Sequence, residues 1–345
     1  MTAPEGRRRL ARWWPRLLGP AILGYFLATT DVGQIVAILR STRWTPVLLS
    51  LALYPIFVLL KTWRWGLLIR SLSGHAPPLG TLMIMYMIGL FLGGATPGQA
   101  GDFLKAWYLR DRGHSLTSAL FSIVLDRLFD FLIMGWVTLL GLSAVLGDFP
   151  PHVQSPIRIV VIVGAAAFTL GLPALLARRS RDRLVTLAIR LLPARWAAAL
   201  ARGRGEWSGL RLQPALLARL LVATLGSLTS TIVRLWLLFR AVDVTVPAAA
   251  LVAAIGLIAI LQTAPISFAG VGVRDAVLIA VLGAFGYGAE RALALSALFL
   301  LLNIEHMIIG FAVFLSHRSP RSGPGKVAGS RTGVHEGKLT PENRG

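Results

Sequence analysis

Thr96-Pro97-Gly98-Gln99-Ala100-Gly101-Asp102-Phe103-Leu104-Lys105 follows the apolar run Leu79 to Ala95. That run is short for a membrane span, which needs about 20 residues. It ends in Gly93, Gly94, Pro97, Gly98 and Gly101, residues that break helices. Asp102 and Lys105 follow, one helical turn apart. A short apolar run, a Gly/Pro break and charged groups predict a hairpin that enters the membrane and turns back. Broken backbone at membrane depth survives only where protein or a water-filled cavity covers it, so the stretch is expected to line a cavity.

A second stretch matches it. Pro265 to Asp275 reads P-I-S-F-A-G-V-G-V-R-D and again follows an apolar run, Ala248 to Leu261. Asp102 to Gly113 and Asp275 to Gly286 are both 11 residues, and Gly113 to Ala119 and Gly286 to Ala292 are both 6. One offset, 173 residues, relates all three anchors. Paired interrupted segments of this kind mark internal repeats in transporters, here about 79–147 and 247–315.

The rest of the chain fits an all-α polytopic membrane protein with about 6–8 membrane segments, two of them re-entrant hairpins in an inverted repeat. Of 345 residues, 55% are hydrophobic and 14% charged. Alternating ten-residue strands, which a membrane barrel would need, are absent from the pattern. There is no cysteine, so disulfides and thiol chemistry are excluded. The formal net charge of +20 does not point to nucleic acid, because the positive charge sits in short loops and tails beside apolar runs. Residues 1–16 are basic, with Trp13 and Trp14; residues 178–211 carry nine Arg and read as amphipathic surface helices; residues 317–345 read as a disordered basic tail. These three regions are predicted to be cytoplasmic, and loops 148–156 and 241–246, which hold no Lys or Arg, external. That assignment inverts the two repeats and places the protein in the cytoplasmic membrane.

Within this frame Leu17 to Leu39 forms a first apolar segment interrupted by Asp31, and Trp44 to Ile69 a second. Lys61 and Arg64 at its end read as cations snorkelling beside interfacial Trp63 and Trp65. Ser115 to Gly147 is one long helix with Asp126, Arg127 and Asp130 towards one membrane edge, either a solvated cluster or a functional one. Ile157 to Ala177 and Pro214 to Phe239 span, and the last span, about 292–315, carries Asn303, Glu305 and His306.

At the two hairpins the chain resembles the lysylphosphatidylglycerol synthase transmembrane family, also called flippase-like. The family's Pro, Gly-Glu, nearby Arg and Asp-Arg in the next helix correspond to Pro97, Gly101, Asp102, Lys105, Asp126 and Arg127. Its Pro and Gly-x-Gly-x-Arg-Glu correspond to Pro265, Gly270, Gly272, Arg274 and Asp275. Both family Glu positions are Asp here and one Arg is Lys. The resemblance spans about residues 17–316 and implies movement of a polar-headed lipid between leaflets. Better-studied members carry a soluble aminoacyl-transferase domain after the membrane region. The 29 residues after Ser316 are too few for one, so the resemblance implies the translocating half alone, with a separate synthase or glycosyltransferase as a conceivable partner.

No HExxH, GxSxG, DxD or Walker-type motif occurs, and the six His show no metal-ligand spacing, so neither cofactor nor metal is expected. The chemistry left is charge within the membrane, which is usually paired or functional. The expected substrate-binding set is Asp102, Lys105, Asp126, Arg127, Arg274 and Asp275, with Pro97, Gly98, Gly101, Pro265, Gly270 and Gly272 shaping the hairpins. Either each pair neutralises itself, or the cations meet a lipid phosphate while the carboxylates meet an amine or hydroxyl. Three readings compete: a lipid translocator, a membrane enzyme modifying a lipid or lipid-linked sugar with Asp102 or Asp275 as base, and an accessory subunit.

Overall fold

A computed structural model of the chain describes residues 23–176, 213–262 and 270–317, with single positions 183, 186, 190 and 201 between them. The basic N-terminus, nearly all of the 178–211 segment, residues 318–345 and Pro265 lie outside the described residues. Every described element is helical.

Asp31 does not merely interrupt the first apolar segment. It caps α1 (Val32–Arg40), its Oδ1 accepting the Gln34 N–H at 3.2 Å. Helix α2 (Trp44–Ala52) and helix α3 (Tyr54–Ser73) then run as one apolar span of 30 residues. Gly74, at φ 75°, ends α3 in the left-handed conformation that glycine adopts without strain. Next comes α4 (Leu79–Gly94), which at 1.5 Å per residue reaches only about 24 Å and falls short of a roughly 30 Å bilayer core. A 3-10 segment (Pro97–Leu104) and the short α5 (Lys105–Arg110) turn the chain into α6 (Leu116–Ala144), started by Ser115 accepting the Ser118 N–H.

Helix α7 (Pro151–Leu176) begins six residues earlier than the composition suggests, because Pro151 is tolerated in a first turn. Its residues Ile162 and Val163 are each 61% exposed, as a lipid-facing helix requires. Helix α8 (Pro214–Ala241) is a third long span. Helix α9 (Ala248–Leu261) is short, like α4, and leads through a turn into α10 (Val273–Ala284) and the last span, α11 (Ala289–Ser316). Among the described residues, four helical spans are long and apolar enough to cross a membrane: Trp44–Ser73, Pro151–Leu170, Pro214–Ala241 and Ala289–Ser316. The chain is a multi-pass helical membrane protein.

The packing exchanges partners between the two halves. Short helix α4 lies against long helix α11, short helix α9 lies against long helix α6, and α3 lies against α8. Small residues let the backbones close up, as in membrane bundles generally. A Cβ on Gly256 of α9 would sit 1.7 Å from Thr138 Oγ1 of α6, and one on Gly310 of α11 would sit 2.5 Å from the Met87 carbonyl of α4. Each short helix thus packs against a long helix from the other half of the chain.

Candidate functional site

The first hairpin is built around Thr96 and Gly101. Thr96 Oγ1 donates to the Leu92 carbonyl at 2.9 Å and accepts the Gly101 N–H at 2.6 Å. This satisfies backbone groups that the ending helix leaves open. Gly101 lies so close to α4 that a Cβ would fall 2.0 Å from the Leu92 carbonyl oxygen. That approach seats Asp102 in the protein interior, 1% exposed. Its carboxylate accepts from Lys105 Nζ at 2.9 Å and from Arg127 Nη2 at 2.6 Å. Lys105 is fully buried, with Nζ 4.5 Å from the Tyr86 ring centroid and 4.9 Å from that of Trp65. Gln99 takes φ 56°, a left-handed backbone costing about 1–2 kcal/mol outside glycine, and its Oε1 accepts from Arg127 Nη1 at 2.7 Å.

The second hairpin re-enters the described residues at Gly270. Gly270 and Gly272 have φ 77° and 83°, and only glycine takes both without strain. Asp275 Oδ2 accepts the Gly272 N–H at 2.7 Å, which caps α10. Its Oδ1 accepts from Ser296 Oγ of α11, and that oxygen in turn accepts from Arg274 Nε at 2.7 Å. Arg274 and Asp275 therefore communicate through Ser296. Arg274 is 3% exposed, and its Nη1 has no hydrogen-bond partner among the described residues.

A third cluster joins α3 to α6 and corrects the sequence reading of Lys61 and Arg64. Arg64 does not snorkel: it is fully buried, 2.7 Å from Asp126 and 2.6 Å from Asp130. Lys61 meets the same Asp130 Oδ1 at 2.5 Å. Asp126 and Arg127, adjacent in sequence, point about 100° apart on the helix and serve different clusters. Asp126 turns to α3 and Arg127 to the hairpin. Asp126 is 1% exposed, so the solvated reading of this charge group does not hold for it. On the other side, Arg234 of α8 pairs with Glu305 of α11, and its Nε donates to the Ser50 carbonyl at 2.8 Å. His306 packs edge-on against Tyr54 at 4.9 Å.

These clusters surround one cavity of about 340 Å³, lined from α3, α4, α6, α8, α9, α11 and both hairpins. Its charged lining consists of Lys61, Arg127, Arg234 and Arg274 against the single carboxylate of Asp130. Gln99, Thr96, Asn303 and His306 add polar groups, and Phe57, Tyr86, Phe131 and Phe299 add aromatic walls. Asp102, Lys105 and Asp275 stand behind the wall and hold Arg127 and Arg274, while Asp126 holds Arg64, which is outside the lining. No group of three or more His, Asp, Glu or Cys that could hold a metal occurs among the described residues.

The sequence profile of the lysylphosphatidylglycerol synthase TM region matches residues 14–310, from before the first apolar segment to the last turns of α11. The chain belongs to the lysylphosphatidylglycerol synthase transmembrane family. A relative from Methanothermobacter thermautotrophicus, described as a UPF0104 membrane protein, is 23% identical over 296 residues, covering 80% of this chain and 83% of its own.

Family signatures lead to two of the four lining cations, Arg127 and Arg274. Sequence reasoning missed the roles of the other two. Lys61 sits among tryptophans that mimic an interfacial belt. Arg234 stands alone inside an otherwise apolar span, and a lone Arg at that depth is itself a signal, because it demands a partner. Glu305, 71 residues on, is that partner.

Proposed function

We propose that this member of the lysylphosphatidylglycerol synthase transmembrane family carries a lipid with an anionic, phosphate-bearing head group between the leaflets of the cytoplasmic membrane. The single observation that carries the reading is Arg274. It is a buried guanidinium on a cavity wall, with one nitrogen bonded through Ser296 and Nη1 left unpartnered. A guanidinium whose donors are unused is ready for an acceptor, and phosphate oxygens match its fork. Arg127 of α6, bonded to Asp102 of the first hairpin, supplies a second cation. Lys61, Arg127 and Arg234 each already meet a carboxylate, so Arg274 is the lining cation that offers an unused donor to an anion.

The exchange of packing partners supports two inverted repeats, each with a re-entrant hairpin, as the frame of this movement. In that frame α4 and α9 stop inside the membrane and meet the cavity from opposite sides. The acyl tails stay in lipid while the head group crosses between the hairpins. Asp102, Lys105 and Asp275 position the cations, and Asp130 contacts an amine or hydroxyl of the head group. With residues 178–211 cytoplasmic, both ends of the chain face the cytoplasm. A separate synthase or glycosyltransferase would supply the lipid.

The reading is tested by reconstituting the purified protein into vesicles that hold a tail-labelled phospholipid, and following bleaching of the outer leaflet. Wild type should expose inner-leaflet label. Arg274→Ala should lose this activity, and Arg274→Lys, which keeps charge without the fork, should fall between. Equal activity in wild type and Arg274→Ala would overturn the assignment.

A further inference from the structure

Gln99 stands where the other hairpin has a glycine. Gln99 and Gly272 each lie three residues before the hairpin aspartate, Asp102 and Asp275, and both take a left-handed backbone, at φ 56° and 83°. Eleven residues after each aspartate, Gly113 and Gly286 repeat the match at φ 90° and 79°. The backbone at position 99 therefore suits glycine, and the sequence supplies a long polar side chain instead. Gln99 and Asp243 are the two non-glycine residues with positive φ among the described residues. Aspartate visits this region readily, and glutamine does not. Strain of this kind persists where the surroundings hold it, and it gathers at ligand sites.

The side chain meets Arg127. Asp102 takes one edge of that guanidinium, accepting from Nε at 3.1 Å and from Nη2 at 2.6 Å. The third nitrogen, Nη1, donates to Gln99 Oε1 at 2.7 Å. Gln99, Arg127 and Arg274 all line the cavity. The Arg127 side chain is 29% exposed where that of Asp102 is 2%, so the Nη1 edge, not the Asp102 edge, is the one on the cavity side. That edge carries an uncharged acceptor. A phosphate oxygen is charged and makes the shorter and stronger bond to a guanidinium.

We propose that the Gln99 carboxamide is a built-in stand-in for a phosphate oxygen on Arg127, and that a phosphate-bearing ligand takes its place. The inference rests on the anion reading of the cavity given above and adds Arg127 Nη1 as a donor to the ligand, in addition to Arg274 Nη1. Gln99 Oε1 satisfies Nη1 until phosphate displaces it, so the donor is never left without an acceptor. The exchange replaces an uncharged acceptor by a charged one and releases a side chain whose backbone is strained. Gln99 is thus a positioning residue that acts through Arg127. It competes with the ligand, and its removal tightens binding.

Gln99→Gly accepts the left-handed backbone without strain and frees Nη1. Gln99→Glu puts a carboxylate on Nη1 in place of the amide. The purified full chain in detergent is titrated with phosphatidylglycerol in mixed micelles, or with inorganic phosphate at constant ionic strength, and the rise in melting temperature is followed. With phosphatidylglycerol the concentration giving half the effect should fall about tenfold in Gln99→Gly, the change that about 1.4 kcal/mol gives. It should rise severalfold in Gln99→Glu. Gln99→Asn also tolerates the left-handed backbone and holds its oxygen one methylene short of Nη1, so it should show the same fall and decides the matter if Gln99→Gly does not fold. A residue that only braced the hairpin would, when removed, leave binding unchanged or weaken it. A wild-type response that neither Gln99→Gly nor Gln99→Asn sharpens would overturn this proposal and leave the anion reading standing. No response to either probe in any variant would overturn both. Sharpening confined to inorganic phosphate would uphold the exchange on Arg127 and remove the lipid from the transport reading.

Discussion

Replacing Arg64 by Met keeps the length of the side chain and removes its charge. Arg64 is fully buried, and among the described residues it supplies the ion pair of Asp126, at 2.7 Å. Asp130 would keep Lys61, but Asp126 would be left enclosed, at 1% exposure, without its cation. Removing one member of a buried pair costs about 3–5 kcal/mol, chiefly because the other charge is stranded. For a chain of 345 residues that corresponds to a fall in melting temperature of about 4–7 °C. Thermal unfolding followed by tryptophan fluorescence in detergent measures it. Arg64→Met combined with Asp126→Leu removes both charges and should regain most of the loss. A single variant that melts within about 1 °C of wild type would refute the buried clamp and return Arg64 to the interfacial role.

Helix contact through glycine predicts that Gly256→Leu, whose Cβ would meet Thr138 Oγ1 at 1.7 Å, prevents recovery of monodisperse protein, while Gly283→Leu, with nothing within 4 Å, is tolerated; size-exclusion profiles decide. In the loop before α6, burial and the neighbouring His75 hold the His114 imidazole below its ordinary range, and its rings stack on His75 at 4.3 Å. The unfolded chain then takes up the proton first, so the stability contributed by neutral His114 is full above about pH 6.5 and is lost as pH falls below it. Melting temperatures between pH 7.5 and 5 should fall less steeply in His114→Phe; parallel curves would remove His114 as the cause.

Much of the architecture was legible in order of length. Runs such as Pro214 to Phe239 are too long and apolar for anything but a span, and Leu79–Gly94 and Ala248–Leu261 are too short for one. Glycine and proline at 97–101 located the break, and the charge at 102 and 105 showed that it would be enclosed. Pairing was less legible. Asp126 and Arg127 look like one unit in sequence, yet helical geometry sends them to different partners, 62 and 25 residues away. Lys61 and Arg64 carry the same local pattern as an interfacial belt, and only the position of α6 decides that they are covered. Ser296 gave no sign of its place between Arg274 and Asp275, because a serine in an apolar helix usually bonds its own backbone.

The central claim is that the cavity accepts an anionic head group, and the most direct measurement compares two lipids in the same vesicles. Wild-type protein is reconstituted with tail-labelled phosphatidylglycerol or with tail-labelled diacylglycerol glucoside, which lacks the phosphate. The account predicts that the protein speeds leaflet exchange of the phosphate-bearing lipid well above that of the neutral glycolipid, and that inorganic phosphate in the buffer slows it. Equal exchange of both lipids, or faster exchange of the glycolipid, would contradict it.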